Sequence, residues 1–142
     1  MLSNQISEAG ADILRIDFNM EPLRYWPTMD EPDRRGMTEI RWVEGMYAMW
    51  DELRTNHPGL WIDNCASGGR LIDLETAMRS IPLWQSDTQV WTTSETASQL
   101  QNAGLNLYLP MHSGGCFGIE PSYAFRSGMM SGNIIDRVVK AS

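Results

Sequence analysis

Short apolar runs alternate with amphipathic stretches along most of the chain. Ile13 to Phe18 (ILRIDF) predicts a strand ending in Asp-Phe-Asn. Pro22, Pro27 and Pro32 then interrupt any regular element, because proline fixes φ and removes a backbone donor. Over Thr38 to Asn56, the residues Ile40, Val43, Tyr47, Trp50 and Leu53 recur at three-to-four spacing, which predicts an amphipathic helix with one buried face. His57-Pro58-Gly59 stops it. Leu60 to Asp63 (LWID) is a second strand candidate, and Arg70 to Ser80 reads as a helix with Leu71, Leu74 and Met78 on its inner side. Ile81 to Gln85 (IPLWQ) predicts a third strand. Thr92 and Glu95 form a capping-box pattern for a helix to about Ala103. Leu105 to Pro110 (LNLYLP) predicts a fourth strand, and Pro121 to Met130 and Asn133 to Val139 predict helices.

This alternation predicts an α/β fold with a parallel sheet. Polar residues gather at the ends of the predicted strands: Asp17 and Asn19, Asp63 and Asn64, Asp87, and His112. In parallel α/β folds that rim carries the active site. Four strands are half of an eight-stranded barrel, which takes about 250 residues. The expectation is therefore a partial (β/α)8 (TIM) barrel of roughly four to five βα units, filling residues 1–142 as one catalytic domain and forming a piece of something larger.

Composition narrows the function classes. The 142 residues hold 18 acidic and 11 basic side chains, a net charge of −7, which argues against nucleic acid as a partner. No run approaches 18 apolar residues, so no membrane-spanning helix is expected. Residues 1–10 lack the basic and apolar pattern of a secretory signal, which slightly favours the cytoplasm. Cys65 and Cys116 are too few for a disulfide scaffold or a cysteine-based zinc site, and His57 and His112 lie too far apart for a metal motif. No metal and no cofactor are expected. Six tryptophans, several beside Gly, Pro or Asp, suit a carbohydrate ligand, whose C–H faces stack on indole; core packing is the ordinary alternative.

Three motifs carry a resemblance. Arg15 to Asn19 (RIDFN), Asp63 to Arg70 (DNCASGGR) and Pro82 to Asp87 (PLWQSD) resemble, in order and spacing, the motifs of the melibiase-type α-galactosidases, the retaining glycoside hydrolase family 36. The resemblance runs from Ala11 to about Gly132 and corresponds to the second half of the family's catalytic barrel. Arg15 stands where the family usually has Lys, Asp63 where it usually has Glu, and Met20 where Arg is frequent, which marks a divergent branch. The resemblance implies Asp17 as nucleophile and Asp87 as general acid/base. It implies a sugar-contacting set of Arg15, Asn19, Asp63, Asn64, Cys65, Ser67, Gly68, Gly69, Arg70 and Trp84. The implied ligand is an α-galactoside-type oligosaccharide, and the full-length enzyme has scope to form homo-oligomers.

Two carboxylates are the minimum for retaining glycoside hydrolysis. Partial burial by Trp84 and Trp91 would help Asp87 start protonated, and Arg15 would hold Asp17 ionised. The plain alternative has Asp17 capping a turn and Asp87 solvated in a loop. Gly68 and Gly69 would let backbone approach a ligand. The same loop would otherwise be a simple turn or a phosphate cradle, although the Walker lysine and dinucleotide glycine spacing are missing. Arg70 suits either a sugar hydroxyl or a structural salt bridge. His112 and Trp26 are candidate pocket residues, His57 belongs to the helix stop, and Cys116 reads as a reduced bystander. The same two aspartates would serve a related retaining α-glycosidase of another specificity or a transglycosylase, whereas a truncated half barrel would be non-catalytic.

Overall fold

The computed structural model describes residues 1–90, 95–109, 111–115, 121–130 and 132–133. Among these, the elements are α1 (Leu2–Ala9), β1 (Ile13–Asp17), a 3-10 turn (Pro22–Arg24), α2 (Trp26–Met29), α3 (Met37–Asn56) and β2 (Trp61–Cys65). They continue with α4 (Leu74–Ala77), a second 3-10 turn (Asp87–Val90), α5 (Glu95–Leu105), β3 (Ser113–Gly114), α6 (Pro121–Ser127) and β4 (Gly132–Asn133).

The first two predicted strands form and pair in parallel, from Ile13 opposite Trp61 to Asp17 opposite Cys65. The ladder runs one bond beyond each end, with Trp61 N–H donating to Asp12 O (2.9 Å) and Phe18 N–H donating to Cys65 O (2.8 Å). The predicted third strand reduces to a single parallel bridge, where Ile81 N–H donates to Ile62 O (2.8 Å) and its carbonyl accepts from Asn64 N–H (3.3 Å). The partial barrel of four to five βα units is therefore overturned. Among the described residues there are two separate two-stranded parallel sheets, β1-β2 and β3-β4, and no barrel.

Specific residues explain the difference. The next N–H to face β2 is that of Leu83, and it donates to the Asp63 carboxylate (3.1 Å) instead of to the β2 backbone, so the pairing stops at Ile81. The predicted fourth strand is instead the end of α5 and the turn after it, closed by Asn106 N–H to Asn102 O (3.0 Å) and Leu109 N–H to Leu105 O (2.8 Å). Leu109 is buried, but Leu107 and Tyr108 are 77% and 74% exposed there, so the leucines of LNLYLP do not share one covered face. Among the described residues, the strands that follow are the two-residue β3 and β4, paired with each other.

The first helix was not apparent in the apolar pattern. It ends on Gly10, whose left-handed backbone (φ 60°) suits a glycine cap. Its Ile6 is buried with Leu53 and Leu60, and Ala11 and Leu14 pack against them, which locks α1, α3 and β1 together. The long helix α3 falls almost where its periodicity predicts. Trp50 and Leu53 are buried, Val43 and Tyr47 are half-buried, and Ile40 is exposed. Its start is held from a distance by Asp30, whose carboxylate accepts from Gly36 N–H (2.6 Å) and Thr38 N–H (2.8 Å).

The helix expected over Arg70 to Ser80 is only one turn long. Asp73 and Thr76 cap it reciprocally, with Thr76 N–H donating to Asp73 Oδ1 (2.8 Å) and Asp73 N–H donating to Thr76 Oγ1 (3.0 Å). Its Leu74 and Met78 face outward, contrary to the expected inner stripe. In the C-terminal third, α5 begins at Glu95, and α6 ends at Ser127 rather than Met130. Trp91, Thr92, Cys116 and the positions after Asn133 in the last predicted helix lie outside the described residues.

Candidate functional site

Strand alternation sorts the sequence motifs onto two faces of the β1-β2 pair. Leu14 and Ile16 turn toward the helices, Leu14 into the core and Ile16 into a cleft beside α3. Arg15 and Asp17 lie on the opposite face beside their register partners Asp63 and Cys65. Arg15 Nη1 donates to Asp63 Oδ2 at 2.5 Å, and its Nη2 lies 3.5 Å from Asp17 Oδ2. The Asp17 side chain is 40% exposed, whereas that of Asp63 is 6% exposed.

Asp63 is fully engaged inside the protein, because its second oxygen accepts from Leu83 N–H at 3.1 Å. This one carboxylate ties β1, β2 and the Ile81–Leu83 segment together. Burial works against the Arg15 charge. The hydrogen bond and negative charge of Asp63 outweigh it, with smaller help from Cys65 and Asp17, so the Arg15 pKa is raised. The buried Cys65 thiol is pushed up, first by burial and further by its hydrogen bond to Asp17, although Gly68 N–H and Arg15 oppose this. Cys65 is therefore a neutral thiol beside Asp17 rather than a thiolate. Asn64 sits on the helix side, where its Nδ2 donates to Leu71 O (2.9 Å).

The loop after β2 joins both aspartate segments. Asn19, two residues beyond Asp17, accepts on Oδ1 from Ser67 N–H (2.8 Å) and Ser67 Oγ (3.2 Å). Ser67 has φ +46°, the one positive-φ residue besides glycine among those described. Gly68 lies against the other segment: a Cβ there would stand 2.8 Å from Ser86 Cα and 2.9 Å from Asp87 N. Gly69 is pressed in the same way against the Gln85 backbone. These glycines thus let one loop pack on the other, where the sequence suggested room for a ligand.

Asp87 is exposed, where partial burial was expected, and Trp84 serves it as a donor: Nε1–H reaches Asp87 Oδ1 at 2.8 Å. Beside it, Gln101 Nε2 of α5 donates to Ser86 Oγ (3.1 Å) and Thr88 Oγ1 (3.3 Å). Gln101 was not a sequence candidate, since nothing in its helical pattern marks it. Arg70 bonds to Ala66 O, Met20 O and Ser67 Oγ at 3.1–3.2 Å and pairs with Glu21. Its guanidinium is committed to the protein, the salt-bridge alternative noted above. Glu21 belongs to no motif either, although an acid four residues after Asp17 on the same loop is a usable signal.

The two candidate pocket residues, His112 and Trp26, border different parts of these loops. His112 is buried, with Nδ1 3.0 Å from Gln85 Oε1 and Nε2 3.0 Å from Asn106 Oδ1, and burial lowers its pKa. Trp26 packs beside Trp42 at a centroid distance of 5.4 Å and lines a cavity of about 300 Å³ with Phe18, Met20 and Arg70. Among the described residues no group of three His, Cys, Asp or Glu side chains is placed to hold a metal ion. No described helix is long and apolar enough to cross a membrane.

Over 86 residues, 61% of its length, the chain is 26% identical to Alpha-galactosidase 1 of Pediococcus pentosaceus. The match spans only 12% of that relative. No protein-family model matches the chain, and no solved structure matches it. The chain is thus similar, over part of its length, to part of a glycosidase.

Proposed function

We propose that this chain carries the catalytic pair of a retaining α-galactosidase of the family 36 type, acting on terminal α-galactosides. Asp17 attacks the anomeric carbon as the glycosidic C–O bond breaks, and Asp87 delivers a proton to the departing oxygen. Asp87 then takes a proton from water, whose oxygen displaces Asp17 and restores the anomeric configuration. Arg15 and the Cys65 thiol flank the nucleophile, Trp84 orients Asp87, and Asn19 and Ser67 supply polar groups for the sugar.

The observation that carries this reading is the loop Cys65–Gly69, bound to Asn19 on one side and packed on Ser86 and Asp87 on the other. The contact of three separate motifs through this one loop supports the reading. The partial similarity to Alpha-galactosidase 1 supports the substrate class.

Hydrolysis of p-nitrophenyl α-galactoside by the chain is the test. Asp17→Ala is expected to abolish it, and azide is expected to restore release of p-nitrophenol from that variant with formation of β-galactosyl azide. Activity undiminished in Asp17→Ala overturns the assignment.

A further inference from the structure

We propose that Arg70 and Glu21 form a positioning pair that holds Ser67 in its left-handed conformation and so fixes the spacing of the loops after β1 and β2. The proposal rests on the site reading above and adds Glu21 to it.

Three nitrogens of the Arg70 guanidinium are used at once. Nε donates to Ala66 O (3.1 Å), and Nη2 donates to Met20 O (3.2 Å) and Ser67 Oγ (3.1 Å). Nη1 pairs with Glu21. Two of these partners, Met20 and Glu21, directly follow Asn19 on the loop after β1. The other two, Ala66 and Ser67, belong to the loop after β2. A planar fork with donors in fixed directions can bridge four such acceptors, whereas the point charge of a lysine cannot.

The held residue is an unusual one. Ser67 has a backbone conformation that L-residues avoid, and it persists only where neighbours over-determine it. Asn19 fixes its N–H, and Arg70 fixes its hydroxyl. Glu21 sets the guanidinium from the open side. Because Gly68 follows at once against Ser86 and Asp87, a change of backbone at Ser67 would alter the separation of the two aspartate segments.

The test compares the unaltered full chain with Glu21→Gln, Arg70→Gln and Arg70→Lys. Amide hydrogen exchange at Ser67 is expected to accelerate about tenfold in Arg70→Gln and about threefold in Glu21→Gln, with Ile81 in the sheet ladder unchanged. Arg70→Lys is expected not to restore protection. With p-nitrophenyl α-galactoside as probe, Glu21→Gln is expected to raise KM about fivefold while kcat stays within about twofold, a split that general destabilisation would not produce. High salt on the unaltered chain should shift KM in the same direction, since the ion pair is exposed. Unchanged Ser67 exchange in both Glu21→Gln and Arg70→Gln overturns the pair, as does full rescue by lysine. If the unaltered chain does not hydrolyse the probe, the glycosidase reading fails, and the exchange data alone decide the pair. Should Arg70→Gln fail to fold, Glu21→Gln, which retains Arg70 but removes its ionic partner, still decides the question.

Discussion

Asn19 and Ser67, 48 residues apart, meet through one amide oxygen that accepts both the Ser67 N–H and its hydroxyl. The bond crosses from the loop after β1 to the loop after β2. It fixes a serine whose φ of +46° is otherwise costly, by about 1–2 kcal/mol for an L-residue. Asn19 therefore has a structural task whether or not a sugar is bound.

Asn19→Ala removes that acceptor and is expected to cost about 1 kcal/mol, since both bonds lie near solvent. Urea unfolding measures it. Ser67→Gly tests the same relation from the other side: it relieves the left-handed backbone but loses the hydroxyl, so its stability should fall less than that of Asn19→Ala.

Asp63 shows a larger dependence. Its carboxylate is nearly buried and bonded to both Arg15 and Leu83 N–H. Asp63→Ala leaves the Arg15 guanidinium without its main partner and an amide without an acceptor. The expected loss is about 2–3 kcal/mol, at the lower end for a broken buried pair because Arg15 is partly exposed. Asp63→Asn keeps an acceptor for Leu83 N–H and should lose about half as much. Chemical denaturation of the two variants side by side separates the charge from the hydrogen bond.

Gly68 and Gly59 share a positive φ, +78° and +97°, but differ in their surroundings. A Cβ at Gly59 meets nothing within 4 Å, whereas one at Gly68 collides with the backbone of Ser86 and Asp87. Gly59→Ala is expected to cost about 1 kcal/mol, from conformation alone. Gly68→Ala adds the collision and should cost about 2–4 kcal/mol. It should also displace the Asp87 segment, so p-nitrophenyl α-galactoside hydrolysis is expected to fall further than stability explains. Thermal unfolding and initial rates on both variants check this.

The parts of the fold legible in the sequence were those with local signals. Helix α3 follows from its three-to-four apolar spacing, and β1 and β2 follow from compact β-favouring runs bounded by turn residues. The strand reading of Leu105 to Pro110 failed because alternation cannot tell a half-buried strand from a helix end whose Leu107 and Tyr108 point to solvent. The shortened α4 depended on the reciprocal cap of Asp73 and Thr76, which sets its start inside the predicted helix. At the site, Asn19, Ser67 and Asp87 were named by the motifs themselves. The Asp63 tie to Leu83, the Gln101 grip on Ser86 and Thr88, and the Glu21 partner of Arg70 were not. These are long-range pairings of ordinary polar residues, and no spacing rule marks them.

The buried polar group of the C-terminal third gives a pH prediction. His112 lies between Gln85 and Asn106, Gln85 Nε2 donates to Asn102 Oδ1 (2.6 Å), and Asn102 Nδ2 donates to Ser127 O (3.1 Å). Burial lowers the His112 pKa from the ordinary 6.5, so the folded protein favours the neutral ring. The unfolded chain then binds the proton first as acid is added. Stability from this group is complete above about pH 6.5 and declines as the pH falls from there through the lower folded value. Urea midpoints at pH 7.5 and 5.5 should show the drop. His112→Gln, which keeps a hydrogen-bonding side chain but does not titrate, should be less stable at pH 7.5 and lose less on acidification. An equal loss in both proteins would place the acid sensitivity on the carboxylates instead, with Asp30 the first to examine, since its bonds to Thr38 and Gly36 hold its pKa below the usual range.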